Sequence, residues 1–296
     1  MKVLVTGRRG QVGSELAGLN DAEYHVTAFD RSELDVTRSG SIERRIDEVE
    51  PDLIVNCAAY TAVDLAENEP QLAYAVNADA LDTLGRICRR RGISIVHLST
   101  DYVFDGRKAE PYHEDDPPNP LGVYGASKLA GEELLRNAID QHIILRVSWV
   151  FGRLGRSFVD TILRLARERD TLSVVDDQIG APSPATAIAQ TIRRFSVLAS
   201  NSATQWGTYH FTTTPALSWC AFARRIVSLA VHYGVLDRLP QVRPIASGEW
   251  PSKVRRPQNS RLDGQKAAAA FQSPAESWEP HLHAYLRSLG HHRGKR

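Results

Sequence analysis

The first half of the chain alternates between short apolar runs and longer segments in which apolar residues recur at helical spacing. Short apolar runs predict buried strands, and the periodic segments between them predict helices of about ten or more residues. This alternation is typical of parallel pairing, so it predicts an α/β fold with a doubly wound parallel sheet. The predicted strands cover residues 2–6, 26–29, 52–56, 93–98 and 142–147, and the predicted helices include 39–50, 70–91 and a segment from 125 onward.

The alternation loosens beyond Gly152. Helical periodicity continues over 158–169, 185–198 and 218–233, with short predicted strands at 172–175 and 208–212. We therefore expect two parts. A nucleotide-binding domain would cover residues 1–150, with 184–213 returning to its sheet, and a smaller, mostly helical substrate-binding lobe would take 151–183 and 214–296.

Composition excludes several classes of protein. The 296 residues contain 36 Lys and Arg against 35 Asp and Glu, so no overall positive field favours nucleic acid. Cys57, Cys88 and Cys220 are unevenly spaced, which indicates neither a disulfide framework nor a zinc site. No signal-like segment precedes the first strand and no apolar run approaches a membrane span. We expect a cytoplasmic protein without membrane contacts.

A glycine turn follows the first strand at Gly7-x-x-Gly10-x-x-Gly13. Glycines at this spacing let the backbone approach a pyrophosphate, which predicts a dinucleotide site. Asp30 ends the second strand, where an acidic side chain can accept hydrogen bonds from an adenosine ribose. The alternative is that Asp30 is a loop residue that only caps the next helix through Ser32.

Tyr124 and Lys128 are four residues apart on a predicted helix and therefore share one face. A tyrosine can give a proton to a ketone oxygen, and a neighbouring ammonium is expected to lower its pKa. Such a pair also occurs by chance, so its meaning depends on Ser99-Thr100-Asp101 at the end of the fourth strand. The loop 105–122 between strand and helix is either a lid or a passive excursion.

Six segments together resemble the dTDP-4-dehydrorhamnose reductase family, a branch of the extended short-chain dehydrogenases/reductases. The glycine turn and the Tyr-x-x-x-Lys pair are common to that superfamily, whereas the Ser-Thr-Asp-Tyr-Val-Phe and Arg-Pro-x-Asn-Ser runs are narrower. The resemblance spans nearly the whole chain and implies a Rossmann-type sheet. The segments are Gly7–Gly13, Asn56–Asp64, Ser99–Gly106, Tyr124–Glu132, Arg146–Phe151 and Arg256–Leu262.

The resemblance implies reduction of the C4 keto group of dTDP-4-dehydro-β-L-rhamnose to dTDP-L-rhamnose, the last step in supplying this sugar for cell-surface polysaccharide. Tyr124 would protonate the C4 oxygen, Lys128 would hold the nicotinamide ribose and lower the Tyr124 pKa, and Thr100 would bond the reacting oxygen. Asp101 and Trp149 would contact the nucleotide sugar, although Trp149 could equally be a core aromatic.

The same resemblance implies the residues that hold the cofactor. NADPH is expected with a modest preference over NADH, since Asp30 opposes a 2′-phosphate while Arg8, Arg9 and Arg31 favour one. Besides Tyr124 and Lys128, the implied cofactor residues are Gly7, Gly10, Gln11, Val12, Gly13, Asp30, Arg31, Asp35, Val36, Ala59, Tyr60, Thr61 and Leu98.

Some members of the family dimerise through a magnesium site made of glutamates. Glu15 fits one such ligand, but Thr186 and Arg287 stand where further carboxylates are expected. We therefore predict no structural metal, a monomer or homodimer, and a Glu15 that simply favours the dipole of the first helix.

Two other readings stay open from the sequence. The chain could be a non-catalytic, nucleotide-binding regulatory subunit, although the presence of Thr100, Tyr124 and Lys128 together argues against it. It could also be a nucleotide-sugar 4-epimerase or a reductase that forms 6-deoxytalose, because face selection depends on the shape of the substrate lobe.

Overall fold

The computed structural model describes residues 1–199, 205–252, 254–272 and 274–293. Its centre is a six-stranded, all-parallel sheet in the order β10-β5-β4-β3-β1-β2, which confirms the predicted doubly wound α/β fold. The strands of this sheet are β1 Lys2–Thr6, β2 His25–Phe29, β3 Leu53–Asn56, β4 Ser94–Thr100, β5 His142–Val147 and β10 Gly207–His210.

Helices cover both faces of the sheet because its central strands are apolar on both sides. Val3 and Val5 pack in one core cluster with α1 and α8, while Leu4 packs in the other with α2, α5 and α6. The helices are α1 Gln11–Ala17, α2 Ser39–Val49, α3 Val63–Ala66, α4 Pro70–Tyr74, α5 Ala80–Arg91, α6 Val123–Ala138, α7 Phe158–Glu168, α8 Ala185–Ala199, α9 Trp219–His232, α10 Gln265–Phe271 and α11 Glu279–Arg293.

The predicted helix over 70–91 is interrupted by a π-helical turn. Residues Ala75–Asp79 form this turn between α4 and α5, and Gly92 ends the helix in the left-handed region at a φ of 68°. Single π-turns inside α-helices often occur at functional sites. Asn77, in the middle of the turn, is buried.

A third core cluster lies outside the sheet and is built mainly from α7, α9 and α11. The sequence pattern does not predict β12, which pairs in parallel with β7, because its residues are mostly exposed and include a proline. The remaining strands outside the main sheet are β6 Val150–Phe151, β7 Thr171–Val175, β8 Ile179–Gly180, β9 Ser183–Pro184, β11 Leu217–Ser218 and β12 Gln241–Ile245.

The loop 105–122 is fastened to the C-terminal part of the chain. The Tyr112 N–H donates to the Arg261 carbonyl at 2.8 Å, and the Asn259 side-chain amide donates to the carbonyls of Lys108 and Glu110, both at 2.8 Å. This explains part of the Arg-Pro-x-Asn-Ser run: Asn259 holds the backbone of the loop that follows the end of β4.

No helix in the described ranges is long and apolar enough to cross a membrane.

Gly131 lets α6 pack directly on the π-turn, which leads to a stability prediction. A Cβ at Gly131 would lie 1.9 Å from the Asn77 carbonyl oxygen, so Gly131→Ala forces the two helices apart. We expect a loss of about 1–3 kcal/mol in the free energy of unfolding, measured by urea denaturation. The control is Gly40→Ala in α2, where a Cβ meets nothing within 4 Å. Equal losses in both variants would contradict the predicted clash.

Candidate active site

A cavity of about 660 Å³ lies at the carboxyl ends of β1, β2 and β3, and eight of the predicted cofactor residues line it. This is the edge at which parallel α/β sheets bind nucleotides. The eight are Gly7, Gly10, Asp30, Arg31, Asp35, Val36, Ala59 and Tyr60, and the sequence reasoning did not assign Ser32, Leu34, Thr37, Cys57, Ala58 and Val76, which line the cavity with them.

The glycine turn has the shape that a dinucleotide requires. Gly7 has a φ of 74°, and a Cβ there would lie 2.9 Å from the Ala58 nitrogen. A Cβ at Gly13 would lie 2.3 Å from the Gly7 carbonyl oxygen. Glycine at these positions keeps the turn tight and its backbone open to the cavity, so the residues present fit a bound dinucleotide.

Asp30 is buried at the end of β2 and is already bonded. Its carboxylate accepts from the Ser32 hydroxyl at 2.5 Å and from the Ser32 N–H at 2.9 Å, so the predicted bond to Ser32 is present, but a turn and not a helix begins there. The Arg9 guanidinium also pairs with it at 2.8 Å, and Arg8 lies 3.8 Å away. The Ser32 bonds, with the Arg9 charge, hold the pKa of the Asp30 carboxyl below its ordinary value. Of the two arginines next to this aspartate, Arg9 lines the cofactor cavity.

Thr100 and Tyr124 meet where β4 ends and α6 begins. The Thr100 side chain is buried, and its hydroxyl lies near enough to the Tyr124 phenol to influence the pKa of that phenol. Burial raises the pKa of Tyr124 to about 12, an increase that the neighbouring Thr100 hydroxyl opposes and the Asp101 carboxylate reinforces. The prediction that Lys128 lowers the Tyr124 pKa is therefore wrong for this arrangement, and the phenol is protonated at neutral pH.

Lys128 lies one turn after Tyr124 and points into the sheet. Its ammonium group donates to the Leu98 carbonyl at 2.7 Å and lies 2.9 Å from His97 Nε2. The side chain is 1% exposed. Burial lowers the pKa of Lys128 to about 8, although the Glu132 carboxylate opposes the shift. Leu98 thus contributes its carbonyl, and His97 is a partner that the sequence reasoning missed.

A buried ion pair lies directly behind this pair of residues. Glu132, one turn after Lys128, accepts from Arg146 Nε at 2.9 Å and Nη2 at 2.7 Å, and from the Ser99 hydroxyl at 2.5 Å. Glu132 and Arg146 are 0% and 2% exposed. Burial would raise the pKa of the Glu132 carboxyl, but the Arg146 bonds outweigh it and the pKa lies below its ordinary value.

Asn77 in the π-turn connects the cofactor cavity to α6. Its side-chain oxygen accepts from the Tyr60 N–H at 2.8 Å, and its amide donates to the Tyr60 carbonyl and the Ser127 hydroxyl, both at 3.0 Å. The Ser127 hydroxyl donates to the Tyr124 carbonyl at 2.9 Å. The signal in the sequence was a polar residue on the buried face of the 70–91 helix.

A second cavity, of about 1060 Å³, lies among α7, β7 and the segment that contains Arg255 and Arg256, with Asp64 of α3 in its lining. The segment after β3 borders both cavities, since Tyr60 lines the first and Asp64 the second. The second cavity combines aromatic and cationic side chains, which suits a ligand with rings and negative charge. Its lining includes Asp64, Phe158, Gln178, Trp219, Arg255 and Arg256.

Trp149 is held in an unusual conformation beside this second cavity. Its φ is 48°, rare for a non-glycine residue, and its indole stacks on Trp219 with ring centroids 3.4 Å apart. A Cβ at Gly180 would lie 2.4 Å from the Trp149 ring. Trp149 is only partly buried. Part of its side chain packs against the core, as the core-aromatic alternative expects, and part stays open. Sequence reasoning missed Trp219 because a tryptophan at the start of a helix gives no separate signal.

Asp101 follows Thr100, and its buried carboxyl is only partly hydrogen-bonded. Its Oδ1 accepts from the Thr100 hydroxyl at 3.2 Å, while Oδ2 has no hydrogen-bond partner among the described residues. Burial raises the pKa of the Asp101 carboxyl to about 6, although the Ser260 hydroxyl opposes the shift. This carboxyl can still accept or donate one bond to a ligand.

The remaining predicted cofactor residues lie outside the lining of the first cavity. Val12 and Gly13 are buried in α1, and Thr61 is exposed. Gln11 begins α1, and its amide nitrogen donates to the Arg156 carbonyl at 3.4 Å while its buried Oε1 lacks a partner in the described chain.

Glu15 does not play the role expected of it. It lies beyond the first turn of α1 and pairs with Arg153, with N–O distances of 3.3 and 3.2 Å. Thr186 shares a hydrogen bond with His281 instead of facing a metal ligand. Within the described residues, no group of three or more His, Cys, Asp or Glu side chains could hold a metal ion.

A parallel sheet with a glycine turn after β1, and with a Tyr-x-x-x-Lys pair facing a threonine at the end of β4, defines a short-chain dehydrogenase/reductase. Comparison with known proteins narrows this class. The family model described as RmlD substrate binding domain matches residues 1–290. The chain belongs to the dTDP-4-dehydrorhamnose reductase family.

Individual relatives agree over almost the full length. The chain is 43% identical to dTDP-4-dehydrorhamnose reductase of Aggregatibacter actinomycetemcomitans, over 94% of this chain and 96% of that protein, and 40% identical to that of Sinorhizobium fredii, over 94% of each. The crystal structure of the Bacillus anthracis reductase in complex with NADP superposes with a TM-score of 0.87 at 35% identity, covering 97% of this chain and all of that one.

The buried pair behind the site leads to a second stability prediction. Arg146→Gln leaves the Glu132 carboxylate buried with too few donors and should cost about 3 kcal/mol or more. The matched control is Arg136→Gln, since Arg136 also contacts Glu132 at 2.7 Å but is 34% exposed, and it should cost less than about 1 kcal/mol. Urea denaturation at pH 7 measures both.

The lowered pKa of Glu132 fixes how the free energy of unfolding depends on pH. Because the pKa of Glu132 is lowered in the folded chain, its contribution is present above about pH 4.3 and is lost as the pH falls. In Arg146→Gln this acid-dependent part of the free energy of unfolding should shrink. A variant that keeps the full acid dependence would contradict this view of the pair.

Proposed function

We propose that this chain reduces the C4 keto group of dTDP-4-dehydro-β-L-rhamnose to give dTDP-L-rhamnose, using NADPH or NADH. The observation that carries the proposal is that the hydroxyls of Thr100 and Tyr124 are neighbours, beside a lysine buried one turn further along the same helix. Two hydroxyls that converge at one point can both bond a carbonyl oxygen. The names of the relatives supply the substrate.

The cofactor would occupy the first cavity, with its diphosphate on the backbone of the glycine turn and its adenosine ribose beside Asp30. When bound, the reduced nicotinamide supplies the hydride. Lys128 would hold the nicotinamide ribose, and Ala59 and Tyr60 would close the cavity wall after β3. Gln11, Val12, Thr61 and Leu98 complete the proposed set, with Asp35 and Val36 at the adenine end.

Tyr124 would donate the proton to the C4 oxygen as that oxygen gains negative charge. The raised pKa of its phenol keeps the proton in place until the substrate needs it. The tyrosinate left behind must then be stabilised, and the groups near it that can do so are the Thr100 hydroxyl and the ammonium of Lys128. The pKa of Tyr124 that matters for catalysis is therefore the one with cofactor and substrate in place.

The nucleotide sugar would occupy the second cavity. We propose that the chain divides into two parts as its sequence predicts. Residues 1–150 and 184–213 would form the cofactor domain, and 151–183 and 214–296 the substrate lobe. Trp149 would contact the sugar nucleotide from its stacked position, and the free oxygen of Asp101 would bond a sugar hydroxyl. Arg255 and Arg256 line the same cavity and suit the diphosphate of the substrate.

The deciding assay supplies dTDP-4-dehydrorhamnose, made in situ, with NADPH and follows the loss of absorbance at the reduced nicotinamide band. Identifying the sugar afterwards separates dTDP-L-rhamnose from its 6-deoxytalose isomer. A bound nicotinamide that is recycled without net oxidation would indicate a 4-epimerase. NADPH binding without turnover of any of these sugars would indicate a regulatory subunit.

Tyr124→Phe tests the proton donor. The change removes one hydroxyl, so we expect kcat to fall by about a hundredfold or more. The dissociation constant for NADPH should hardly change, because the ring and Lys128 stay in place. Tyr24→Phe is the control, since this tyrosine is also buried but lies in the cluster of α1 and α8. An unchanged rate in Tyr124→Phe would remove this residue from the mechanism.

The arginines around Asp30 determine the choice of cofactor. We expect the parent enzyme to use both cofactors, with kcat/KM for NADPH above that for NADH by less than about a hundredfold. Asp30→Asn should raise this ratio, because the carboxylate that repels a 2′-phosphate is gone and Arg9 is released. Arg9→Gln should lower it. Steady-state kinetics with both cofactors measures the ratio, and a shift of Arg9→Gln toward NADPH would contradict the assignment.

A further inference from the structure

Four buried polar side chains form a continuous row beneath the cofactor cavity. Lys128 Nζ lies 2.9 Å from His97 Nε2, and His97 Nδ1 lies 3.0 Å from Asn56 Nδ2. The Thr6 hydroxyl donates to Asn56 Oδ1 at 2.6 Å. The four residues come from α6, β4, β3 and β1, and none is more than 2% exposed.

Both ends of the row reach the proposed cofactor site. The Thr6 hydroxyl accepts from the Ala58 N–H at 3.2 Å. Ala58 lines the first cavity, and so does Gly7, the residue after Thr6. Lys128 is the residue that would hold the nicotinamide ribose. The row therefore joins the glycine turn to the lysine through groups that can both donate and accept protons.

The order of donors and acceptors in this row depends on the charge of Lys128. An Asn56 amide nitrogen can only donate, so His97 Nδ1 must accept and the imidazole proton must sit on Nε2. That proton then faces Lys128 Nζ, which can accept it only as a neutral amine. The bonds as they stand are thus all satisfied when Lys128 carries no charge.

A charged Lys128 requires the opposite order. The ammonium must donate to Nε2, so the imidazole proton moves to Nδ1 and the Asn56 side-chain amide turns over to present its oxygen. The amide nitrogen would then face the Thr6 hydroxyl, whose oxygen can accept. The His97 imidazole can therefore pair with Lys128 in either charge state, by moving its proton between Nε2 and Nδ1.

Other charged or titratable groups around the lysine are few. On its own helix Glu132 favours the ammonium and Tyr124 lies one turn earlier, while Cys57 faces it from the end of β3. Asp101 lies beyond Tyr124, at the end of β4. Burial and the charge of Lys128 hold the pKa of His97 well below its ordinary value, so the imidazole stays neutral and changes only its tautomer.

We propose that His97 is a positioning residue that keeps Lys128 able to carry its charge in a buried site, by exchanging tautomers as Lys128 gains or loses a proton. This rests on the proposed function only in taking Lys128 as the group that holds the cofactor. Burial sets the pKa of Lys128 at about 8, so NADPH affinity should decline as the pH rises through that value. Removing the imidazole acceptor should move this decline to lower pH, because a hydrogen bond to a charged group stabilises the charged form.

Two substitutions separate the contacts of the ring. A glutamine amide at position 97 reaches the place of Nε2 and can still accept from Lys128, whereas an asparagine amide reaches the place of Nδ1 and meets only Asn56. We expect the basic limb of NADPH affinity, measured by fluorescence titration, to move down by about one pH unit or more in His97→Asn and to stay near its original place in His97→Gln. His142→Gln, at a buried histidine of β5 that contacts a backbone carbonyl, controls for loss of any core imidazole.

A purely structural role predicts a different result. Both variants at position 97 would then lose stability and weaken binding equally at every pH. An unmoved limb in His97→Asn, or equal shifts in the two variants, overturns the proposal.

A measurement on the unaltered protein covers the case in which the variants fail to fold. Nitrogen-15 NMR of labelled histidines should show one buried imidazole whose proton moves from Nδ1 to Nε2 between about pH 7 and 9.5, following the titration of Lys128. No tautomer change over that range overturns the proposal. Neither result depends on turnover of a sugar, so a failed reductase assay leaves the test intact.

Discussion

The buried pair of Glu132 and Arg146 is the constraint on which the site depends. Burying two charges costs far more than a surface pair returns, and it is tolerated only with complete hydrogen bonding. Here Ser99 and Arg136 complete the bonds of Glu132. Since Glu132 lies on α6 and Arg146 on β5, the pair fixes both the rotation of the helix and its position along the sheet. Tyr124 and Lys128, two turns and one turn before Glu132 along that helix's face, are thereby set against the end of β4.

The asymmetry of burial around the site divides its chemistry. On the sheet side the groups are enclosed and finely paired, as in the row from Thr6 to Lys128. On the lobe side they are aromatic or cationic and partly open, as with Trp219 and Arg256. An enclosed, polar floor resists rearrangement, whereas an open wall of rings and arginines can adapt to ligands of different shape. Differences in sugar specificity among related folds would arise from this open side, with its aromatic rings and arginines.

Much of the fold follows from periodicity, but several features of the site do not. The strands and helices of the sheet were predicted to within a few residues because each is apolar on a fixed period. The π-turn at Asn77 was not predicted because its sequence is compatible with an ordinary helix. Strand β12 was not predicted because an exposed edge strand with a proline has no pattern of buried residues. The pKa of Tyr124 was predicted with the wrong sign, since residue spacing reveals neighbours but not depth of burial. His97 looked like one more residue of a buried strand.

The fastening of loop 105–122 by Asn259 and Arg261 sets an order on how the site is made during synthesis. The glycine turn and the strands that flank it belong to the first sixty residues, which leave the ribosome early. The loop next to Thr100 and Asp101 receives its anchors only after residue 261 has emerged. The nascent chain would thus gain the means to hold a dinucleotide well before it can hold a sugar, and a product truncated in its last fifth would be a cofactor-binding protein with an unfinished catalytic centre.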